Sequence, residues 1–484
     1  MTDAATNQQV LLMIDGERRT SADGSFRTID PASNTTLAEV AKGTPQDVND
    51  AVSSSRDALR VWRRTKPVER ARILDGISKA VLAHSEELAR LESLDTGKPL
   101  TQARADVTVA ARYFEYYAGL ADKLVGLSIP LGDDFLDYTL REPIGVSAQI
   151  VAWNYPMQIG CRGIAPALAS GSTVVVKPAS EAPLSILRLA ELALDAGLPR
   201  GVMNVVTGPG ATVGMGLASH PGINQITFTG SVDVGAVVMG AAAKNCVPVV
   251  LELGGKSPNV VFADADLDLA SPIIAKAILQ NAGQTCSAGS RLLVQHEIAD
   301  ELLERVEKLL SSATIAPGLE DPDIGPLISK RQLDLVQGHV DQAKRDGVEI
   351  ITGGSESAEA SERYGGFFYS PTLALAKPDA AIVREEVFGP VLAATTFADE
   401  DEAIGFANAT DYGLVAGVWT KDIVRAHTVA REIESGQVYI NGYGAGGGVE
   451  LPFGGYKKSG FGREKSLEGI GSYLQTKNVC VRLT

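Results

Sequence analysis

Residues 173–206 have the sequence TVVVKPASEAPLSILRLAELALDAGLPRGVMNVV. Two short runs rich in β-branched residues, 173–176 and 202–206, flank a segment at 183–196 whose leucines and alanines recur at helical spacing. A strand, a helix and a second strand joined by short connections predict a βαβ unit, in which the two strands are parallel.

The same alternation extends from Gly145 to Gly255, with further short strands predicted at 146–151, 225–228 and 247–251. Five buried strands of this kind predict one parallel sheet covered by helices. Helical periodicity is also present upstream, at 47–65 and 67–93, and downstream at 267–279, where it ends at Asn281-Ala282-Gly283. A second alternating region runs from Arg291 to about Gly436. We therefore predict an α/β fold with two doubly wound, Rossmann-like lobes.

Size and charge limit the classes of function. The chain has 484 residues, a length that suits two or three lobes, and a formal net charge of −15. Acidic proteins repel phosphate backbones and anionic lipids, so we expect neither a nucleic-acid nor a membrane partner. Residues 1–9 lack the pattern of a secretory signal, and no apolar run approaches a membrane span. A cytoplasmic protein is expected.

Two segments, 121–142 and 472–484, are predicted to be exposed β-strands. In the tail, Val479, Val481 and Leu483 alternate with polar or small residues. An apolar edge strand at a chain end would aggregate unless it were paired, so we expect a subunit contact and a homodimer or homotetramer. The glycine-dense segment 442–448 is expected to be a flexible or tightly turned loop.

The four cysteines are far apart and show neither CxxC pairs nor zinc-site spacing, so we expect no disulfide framework and no metal. Cys161, Cys246 and Cys480 are interpreted as packing residues. Cys286 differs because it follows a predicted helix end and lies between Gly283 and Gly289, where a substrate can approach the backbone. Its thiol is a potential nucleophile, although for this residue taken alone a structural cysteine is the favoured interpretation.

Two further polar residues end predicted strands. Glu252 closes an apolar strand directly before Gly254 and Gly255, and burial would raise its pKa toward the range of a general base. A salt-bridged carboxylate is the alternative. Asn154 follows another strand at the sheet edge where ligands bind, and its amide could donate to an oxyanion. An Asx turn would explain it without catalysis.

A dinucleotide site is suggested by the run from Phe228 to Ser231, in which a strand passes into a helix through Gly230. The amides of that helix N-terminus and Ser231 could hold a pyrophosphate. Lys177, at another strand end, could reach a ribose or phosphate. Gly210, in Gly208-Pro209-Gly210, is weaker, because a turn alone explains such a motif.

Together these pieces resemble the aldehyde dehydrogenase superfamily over nearly the whole chain. The motifs occur in the order WNYP (153–156), KP (177–178), FTGS (228–231), LELGGK (251–256), GQTC (283–286), EVFGP (386–390) and PFGG (452–455). The resemblance implies a cofactor-binding domain (1–120 and 143–253), a catalytic domain (254–466) and a small β oligomerisation flap (121–142 and 467–484).

The resemblance also implies roles for individual residues. Cys286 would be the nucleophile that forms a thiohemiacetal and then a thioester, Glu252 the base for hydrolysis, and Asn154 with the Cys286 amide the oxyanion hole. NAD or NADP would contact Lys177 at the adenosine ribose, Ser231 at the pyrophosphate, and Glu386 with Phe388 at the nicotinamide end. The remaining cofactor-binding positions would be Ile150, Trp153, Ser180, Gly210, Phe228, Gly230 and Leu253. Glu464 would relay protons near the base.

Several points stay open at this stage. Family members that pass the thioester to coenzyme A are expected to lack the base, whereas Glu252 is present; loss of catalysis in a cofactor-binding protein is another alternative. Ser180 stands where many members have a Glu that repels the NADP 2′-phosphate, although Glu181 is adjacent. Arg162 is expected on the substrate tunnel, where it could bind a carboxylate or phenolate, or form a salt bridge between helices. Gln280, in place of a second arginine, favours aromatic or other polar aldehydes over dicarboxylic semialdehydes.

Overall fold

A computed structural model describes residues 9–444 and 448–484 of the chain. The N-terminal segment in which no secretory signal was found, and part of the glycine-dense segment 442–448, lie outside these residues. The strands up to residue 252 are β1 (Gln9–Val10), β2 (Leu12–Ile14), β3 (Glu17–Arg19), β4 (Ser25–Asp30), β5 (Thr35–Ala41), β6 (Ser128–Ile129), β7 (Phe135–Pro143), β8 (Val146–Ile150), β9 (Thr173–Lys177), β10 (Met203–Val205), β11 (Gln225–Thr229) and β12 (Val249–Glu252). Those that follow are β13 (Pro258–Val261), β14 (Arg291–Gln295), β15 (Glu349–Thr352), β16 (Thr372–Leu375), β17 (Val391–Phe397), β18 (Tyr412–Gly413), β19 (Val415–Trp419), β20 (Gln437–Ile440), β21 (Tyr456–Lys457), β22 (Gly460–Phe461) and β23 (Leu474–Arg482).

The helices up to residue 252 are α1 (Pro45–Trp62), α2 (Pro67–Ala83), α3 (Ser85–Thr96), α4 (Leu100–Ala118), α5 (Pro156–Ser170), α6 (Leu184–Asp195), α7 (Met215–Ala218) and α8 (Val232–Ala243). Those that follow are α9 (Leu267–Leu279), α10 (Ala299–Ser311), α11 (Lys330–Arg345), α12 (Ala358–Tyr364), α13 (Ala381–Arg384), α14 (Glu400–Asn408), α15 (Ile423–Glu432) and α16 (Ser466–Gly471). None of the helices in the described ranges is long and apolar enough to cross a membrane.

The first large sheet has the order β22-β12-β11-β8-β9-β10-β2-β3. Its five central strands, β12 to β10, are parallel, and the strands outside them are antiparallel. The chain leaves β8 in one direction through β9 and β10 and then returns to its other side as β11 and β12. This reversal between β8 and β11 is a topological switch point, where the carboxyl ends of the strands open a crevice for ligands.

The second large sheet has the order β15-β16-β17-β14-β13-β19-β20, and only β15 runs antiparallel to its neighbour among the described strands. The chain enters this sheet directly from the first, because β12 ends at Glu252 and β13 begins at Pro258. Both sheets carry apolar helices on their faces, so the predicted pair of doubly wound α/β lobes is confirmed. The predicted catalytic residues lie where the two lobes meet.

The predicted flap is a three-stranded antiparallel sheet in the order β23-β7-β6. The tail strand β23 pairs along its length with β7 of the same chain, from Leu474 opposite Pro143 to Arg482 opposite Phe135. The backbone hydrogen-bonding groups along one edge of β23 are therefore paired within the subunit, a pairing that the sequence did not indicate. Apolar side chains such as Leu136, Leu140 and Val481 remain exposed on this sheet.

Three expectations need correction. The helix predicted at 67–93 is two helices, because the chain leaves the helical conformation at His84 (φ −109°, ψ 21°). Cys246 is exposed in a turn with φ 53°, and Cys480 is exposed on β23, so neither is a packing residue; the prediction holds only for Cys161, which is buried in α5. A tight turn after an alanine-rich helix has the same local composition as the helix itself, which explains the error at Cys246.

Candidate active site

The Cys286 loop begins where α9 ends. Asn281 and Ala282 both adopt left-handed conformations (φ 50° and 54°), and Gly283 follows with φ 70°. A side chain at Gly283 would collide with the backbone carbonyl of Gly389, so only glycine fits there. The reversal brings Cys286, which is half-buried, to the boundary between the two sheets.

Asn154 ties the end of β8 to this loop. Its side-chain amide donates a hydrogen bond to the backbone carbonyl of Gln284 (3.0 Å), and the side-chain amide of Asn281 donates to the backbone carbonyl of Asn154 (3.0 Å). The side chain is buried, and its Oδ1 has no hydrogen-bond partner within the described residues. An Asn amide carries two N–H groups, so one can hold the loop while the other serves an oxyanion. The Asx-turn alternative does not describe these contacts.

Glu252 is the last residue of β12 and is 1 % exposed. In the part of the chain that the structure describes, neither of its carboxylate oxygens has a hydrogen-bond partner. Burial, and after it the negative charge of Glu464, raise the pKa of Glu252 to about 8, and the guanidinium of Arg162 opposes both. The salt-bridged alternative fails for Glu252, whose carboxylate has the properties of a general base.

The ion pair belongs instead to Glu464 and Arg162, which are both buried. The Arg162 guanidinium lies 5.0 Å from the centre of the Phe453 ring. Phe453 and Glu464 are held side by side by reciprocal backbone hydrogen bonds of 2.9 and 2.8 Å. The structure thus brings Arg162 and Glu464 together in a salt bridge, although not the expected one between helices, because Glu464 lies before α16 and pairs with Phe453.

Sequence reasoning missed Lys465 and the part played by Phe453. The Lys465 ammonium also lies 5.0 Å from the centre of the Phe453 ring, and burial lowers the pKa of Lys465 to about 8. Lys465 has φ 61°, a conformation that a non-glycine residue adopts only when its surroundings hold it there. The position beside Glu464 was the only available signal, since the left-handed turn leaves no mark in the sequence.

The thiol itself is neutral in these surroundings. Burial, opposed by the Arg162 charge and supported by the charges of Glu252 and Glu386, raises the pKa of Cys286 to about 12. Cys286 packs against a small cluster of buried side chains, Leu414, Val415 and Phe453, and Tyr439 and Tyr443 pack against the same cluster. The Tyr443 hydroxyl donates to the Ser287 carbonyl (2.9 Å), which fixes one wall of this cluster next to the thiol.

The predicted cofactor residues lie along the switch point of the first sheet. Ser231 caps α8 and accepts a hydrogen bond from the Val234 amide (3.5 Å). A Cβ at Gly230 would lie 2.5 Å from Phe228 Cζ, which explains the glycine after that phenylalanine. Leu253 follows β12 and packs over α8, where a Cβ on Gly235 would approach it to 2.7 Å. Ile150, at the end of β8, is buried between β11 on one side and β9 on the other.

Lys177 lies opposite Ile150, at the end of β9. Its ammonium donates to the Pro178 carbonyl (2.9 Å), and burial lowers the pKa of Lys177 to about 8. The Ser180 hydroxyl donates to the Gly208 carbonyl (3.1 Å), and Gly210 opens a π-helical turn with free space above its Cα. Among the residues that the structure describes, Lys177 forms no ion pair, and a buried cation beside uncrowded backbone suits a ribose or phosphate group.

The second lobe contributes the other end of the crevice. Glu386 accepts a hydrogen bond from the Gly255 amide (2.9 Å), and burial raises the pKa of Glu386 to about 7. Phe388 has φ 54° and packs edge-on against Trp153, with ring centres 5.4 Å apart. The crevice therefore fits a dinucleotide between a helix N-terminus, a cation and an aromatic pair.

The comparisons agree with this geometry. The family model described as the aldehyde dehydrogenase family matches residues 18–479. A Burkholderia cenocepacia protein assigned as an aldehyde dehydrogenase is 48% identical, with a TM-score of 0.96, over 98% of this chain and 100% of the other. The NAD+ complex of an aldehyde dehydrogenase from Bacillus cereus is 37% identical, with a TM-score of 0.96, over 99% and 97%. An indole-3-acetaldehyde dehydrogenase in complex with NAD+ is 38% identical, with a TM-score of 0.95, over 98% and 97%. The chain belongs to the aldehyde dehydrogenase family.

Proposed function

We propose that this NAD(P)+-dependent aldehyde dehydrogenase is of the hydrolytic kind, oxidising an aldehyde to its carboxylic acid through a thioester on Cys286. The single observation that carries the proposal is Glu252, a buried carboxylate without a hydrogen-bond partner in the described residues, whose charge acts on Cys286. A group with this pKa can remove a proton from water near neutral pH. The water molecule activated by Glu252 could then hydrolyse a thioester on Cys286.

In the first step the sulfur of Cys286 forms a bond to the aldehyde carbon, the electron pair of the C=O π bond moves to the oxygen, and the thiol proton passes to solvent water. The oxygen of the adduct gains negative charge, which the free N–H of Asn154 and the Cys286 backbone amide would stabilise. When bound, the oxidised nicotinamide ring supplies the hydride acceptor that turns the adduct into a thioester. Glu252 then takes a proton from a water molecule as the water oxygen attacks the thioester carbon. The S–C bond breaks with its electron pair going to sulfur, the proton held by Glu252 returns to that sulfur, and the carboxylic acid leaves.

For the cofactor, the proposal is that Lys177, Ser231 and Glu386 bind the adenosine ribose, the pyrophosphate and the nicotinamide ribose in turn, with Trp153 and Phe388 at the ring. NAD is supported by the NAD+ complexes of related enzymes. NADP is proposed as a second acceptable cofactor, because the neutral Ser180 hydroxyl does not repel a 2′-phosphate. The side chain of Glu181 is exposed.

For the substrate, we propose an aromatic aldehyde or another aldehyde with a polar or acidic end. Cys286, Tyr439 and Tyr443 pack against the cluster that contains Phe453, and two cations flank the Phe453 ring. Aromatic side chains favour flat apolar substrates through edge and face contacts. The indole-3-acetaldehyde enzyme among the structural relatives acts on an aldehyde of this kind.

For assembly, we propose a homodimer or homotetramer in which the flap (121–142 and 467–484) contacts another subunit. The open edge of β23 can accept a further strand. Helix α8 also presents an apolar face, with Val234, Val237 and Met239 exposed in the isolated chain. The proposed domains stay as expected, at 1–120 with 143–253 and at 254–466, although β22 of the second joins the sheet of the first.

The decisive assay follows the absorbance of reduced nicotinamide after adding an aromatic aldehyde, with and without coenzyme A. We expect reduction without coenzyme A and recovery of the free acid, and a Cys286→Ser variant as a control without activity. Reduction that requires coenzyme A would assign the chain to acylating enzymes. No reduction with any aldehyde would favour a binding protein that has lost catalysis.

A further inference from the structure

A basic recess lies far from the crevice, between the end of α1, the start of α2 and the flap strand β7. It consists of two adjoining cavities of about 370 and 360 Å³ that share Arg63 and Pro143. Five cationic side chains and one carboxylate line the first cavity, the cations being Arg63, Arg64, Lys66, Arg70 and Arg141. The excess of positive charge is opposite in sign to the net charge of −15 of the chain.

The acidic neighbours of this basic recess are already paired elsewhere. Asp122, the carboxylate of the first cavity, forms an ion pair with Lys123, and Glu142, at the second cavity, pairs with Lys477 (2.7 Å). Within the described residues, Arg63, Arg64 and Lys66 form no ion pair or side-chain hydrogen bond, and all three are exposed. The pKa of Glu142 is lowered by Lys477 and also by the charge of Arg63, so Arg63 is partly offset, and the charges of Arg64 and Lys66 are the ones open to an external anion.

Arg70 is the strongest indication of a ligand. It is 6 % exposed, burial lowers its pKa, and no nearby carboxylate offsets that effect. Its Nε and Nη1 donate to the carbonyls of Ala169 (3.2 Å) and Thr65 (2.6 Å), while Nη2 has no protein acceptor among the described residues. Buried charges in proteins are normally paired, and helix-end carbonyls supply only a partial negative charge.

The N-terminus of α2 also favours an anion in the basic recess. The helix has 17 residues, its N-cap is Lys66, and no side chain caps its first amides. Pro67, the first residue of the helix, has no N–H, and the Glu69 amide donates to the Lys66 carbonyl (2.9 Å), so the helix offers an anion the Val68 amide and the positive end of its dipole. Glu69 adds one negative charge to the same turn, so the guanidinium and ammonium groups of the recess are the main attraction for a phosphate group.

We propose that the basic recess binds a small oligophosphate anion, either free or as the end of a nucleotide. The exposed side chains of Arg63, Arg64 and Lys66 would contact the outer oxygens of the anion. The buried Arg70 would donate a hydrogen bond to it through Nη2. The recess also touches Arg141, whose guanidinium donates to Thr476 on the tail strand (2.6 Å). Binding would therefore fasten the flap to the first lobe and stabilise the folded protein.

The test uses the full chain without cofactor and tripolyphosphate as the probe, with thermal unfolding and titration calorimetry at constant ionic strength. We expect saturable binding and a rise in Tm that sodium chloride at equal ionic strength does not reproduce. The variant Arg63→Ala/Arg64→Ala should weaken Kd by at least about 10-fold, because each charge-assisted hydrogen bond is strong. Both side chains are exposed, so we expect the variant to fold.

Arg72→Ala is the matched control, since Arg72 is an exposed arginine on α2 that does not line the recess, and its Kd should stay within about 2-fold of the parent. ATP and tripolyphosphate binding with similar Kd would indicate that the phosphate chain is the recognised part, whichever its source. Equal affinity for citrate would overturn the assignment to phosphate. Unchanged binding in the double variant, or no binding above that of chloride, would overturn the site.

Discussion

Replacing Glu252 by Gln should separate the two halves of the proposed reaction. The substitution keeps the shape of the side chain and removes the base. Formation of the thioester does not need Glu252, so a burst of about one reduced cofactor per active site should remain, while general-base catalysis is worth about 100-fold to 10,000-fold in the later step. Rapid mixing measures the burst, and steady-state absorbance measures the turnover.

The pKa of Glu252 sets the pH dependence in the parent enzyme. With a pKa raised to about 8, roughly one molecule in ten has the ionised carboxylate at pH 7 and roughly one in a hundred at pH 6. Because only the ionised form accepts a proton, deacylation should increase about 10-fold from pH 6 to pH 7 and level off above pH 9. The variant should lack this rise.

Glu464→Gln is a matched control for the electrostatic reasoning. The negative charge of Glu464 raises the pKa of Glu252, so its removal should lower that pKa and move the rise in rate to lower pH. Thermal unfolding serves as a folding check. Because folding raises the pKa of Glu252 from 4.5 to about 8, the folded protein is destabilised as the pH increases through this range, so Glu252→Gln should have a higher Tm than the parent protein at pH 8. Unchanged burst and unchanged turnover in Glu252→Gln would refute the assignment of the base.

The remaining predictions concern the other proposed roles. Asn154→Ala should lower kcat by about 100-fold to 1,000-fold, the usual cost of losing an oxyanion donor, and a loss below about 10-fold would remove Asn154 from that role. Arg162→Leu should raise KM for acidic or hydroxylated aldehydes by about 10-fold while leaving a plain aliphatic aldehyde nearly unchanged, with Arg162→Lys as the variant that keeps the charge. Equal losses on all aldehydes would assign Arg162 to the scaffold through its pair with Glu464. Ser180→Glu should raise KM for NADP by at least about 10-fold with little effect on NAD, and equal changes would show that this position does not read the 2′-phosphate. Deleting residues 477–484 should dissociate the oligomer in sedimentation, because it removes most of β23, and an unchanged assembly would exclude the tail as a contact.

The parallel sheets could be predicted because their strands are short, apolar and separated by glycine or proline. The strands predicted at 146–151, 173–176 and 225–228 differ from β8, β9 and β11 by one residue at one end. The break at His84 could not be predicted, since residues 85–96 continue the helical pattern without a glycine or proline. The pairing of the tail with β7 depends on contacts more than three hundred residues apart, which periodicity does not report.

In the candidate site, too, some residues could be predicted from the sequence and the contacts between others could not. Glu252 and Asn154 were predictable because parallel strands end at one edge, and residues at those ends meet there. The partner of Asn154 in this structure, the Gln284 carbonyl, depends on three consecutive left-handed residues, of which only Gly283 is a typical signal. The pairing of Arg162 with Glu464 joins α5 to a turn near the C-terminus, and no local pattern links the two.

That pairing explains why Glu252 keeps the character of a base. Two carboxylates, Glu252 and Glu464, lie near a single guanidinium, and a carboxylate in contact with Arg162 would have its pKa lowered. Arg162 makes its ion pair with Glu464, so Glu252 receives only the weaker, indirect part of that positive charge and also the repulsion of a second carboxylate. If Arg162 paired with Glu252 instead, the base would be ionised at any neutral pH but would hold a proton too weakly to take one from water. In the proposed reaction, the ion pair of Arg162 with Glu464 thus leaves the pKa of Glu252 in the range that hydrolysis of a thioester would need.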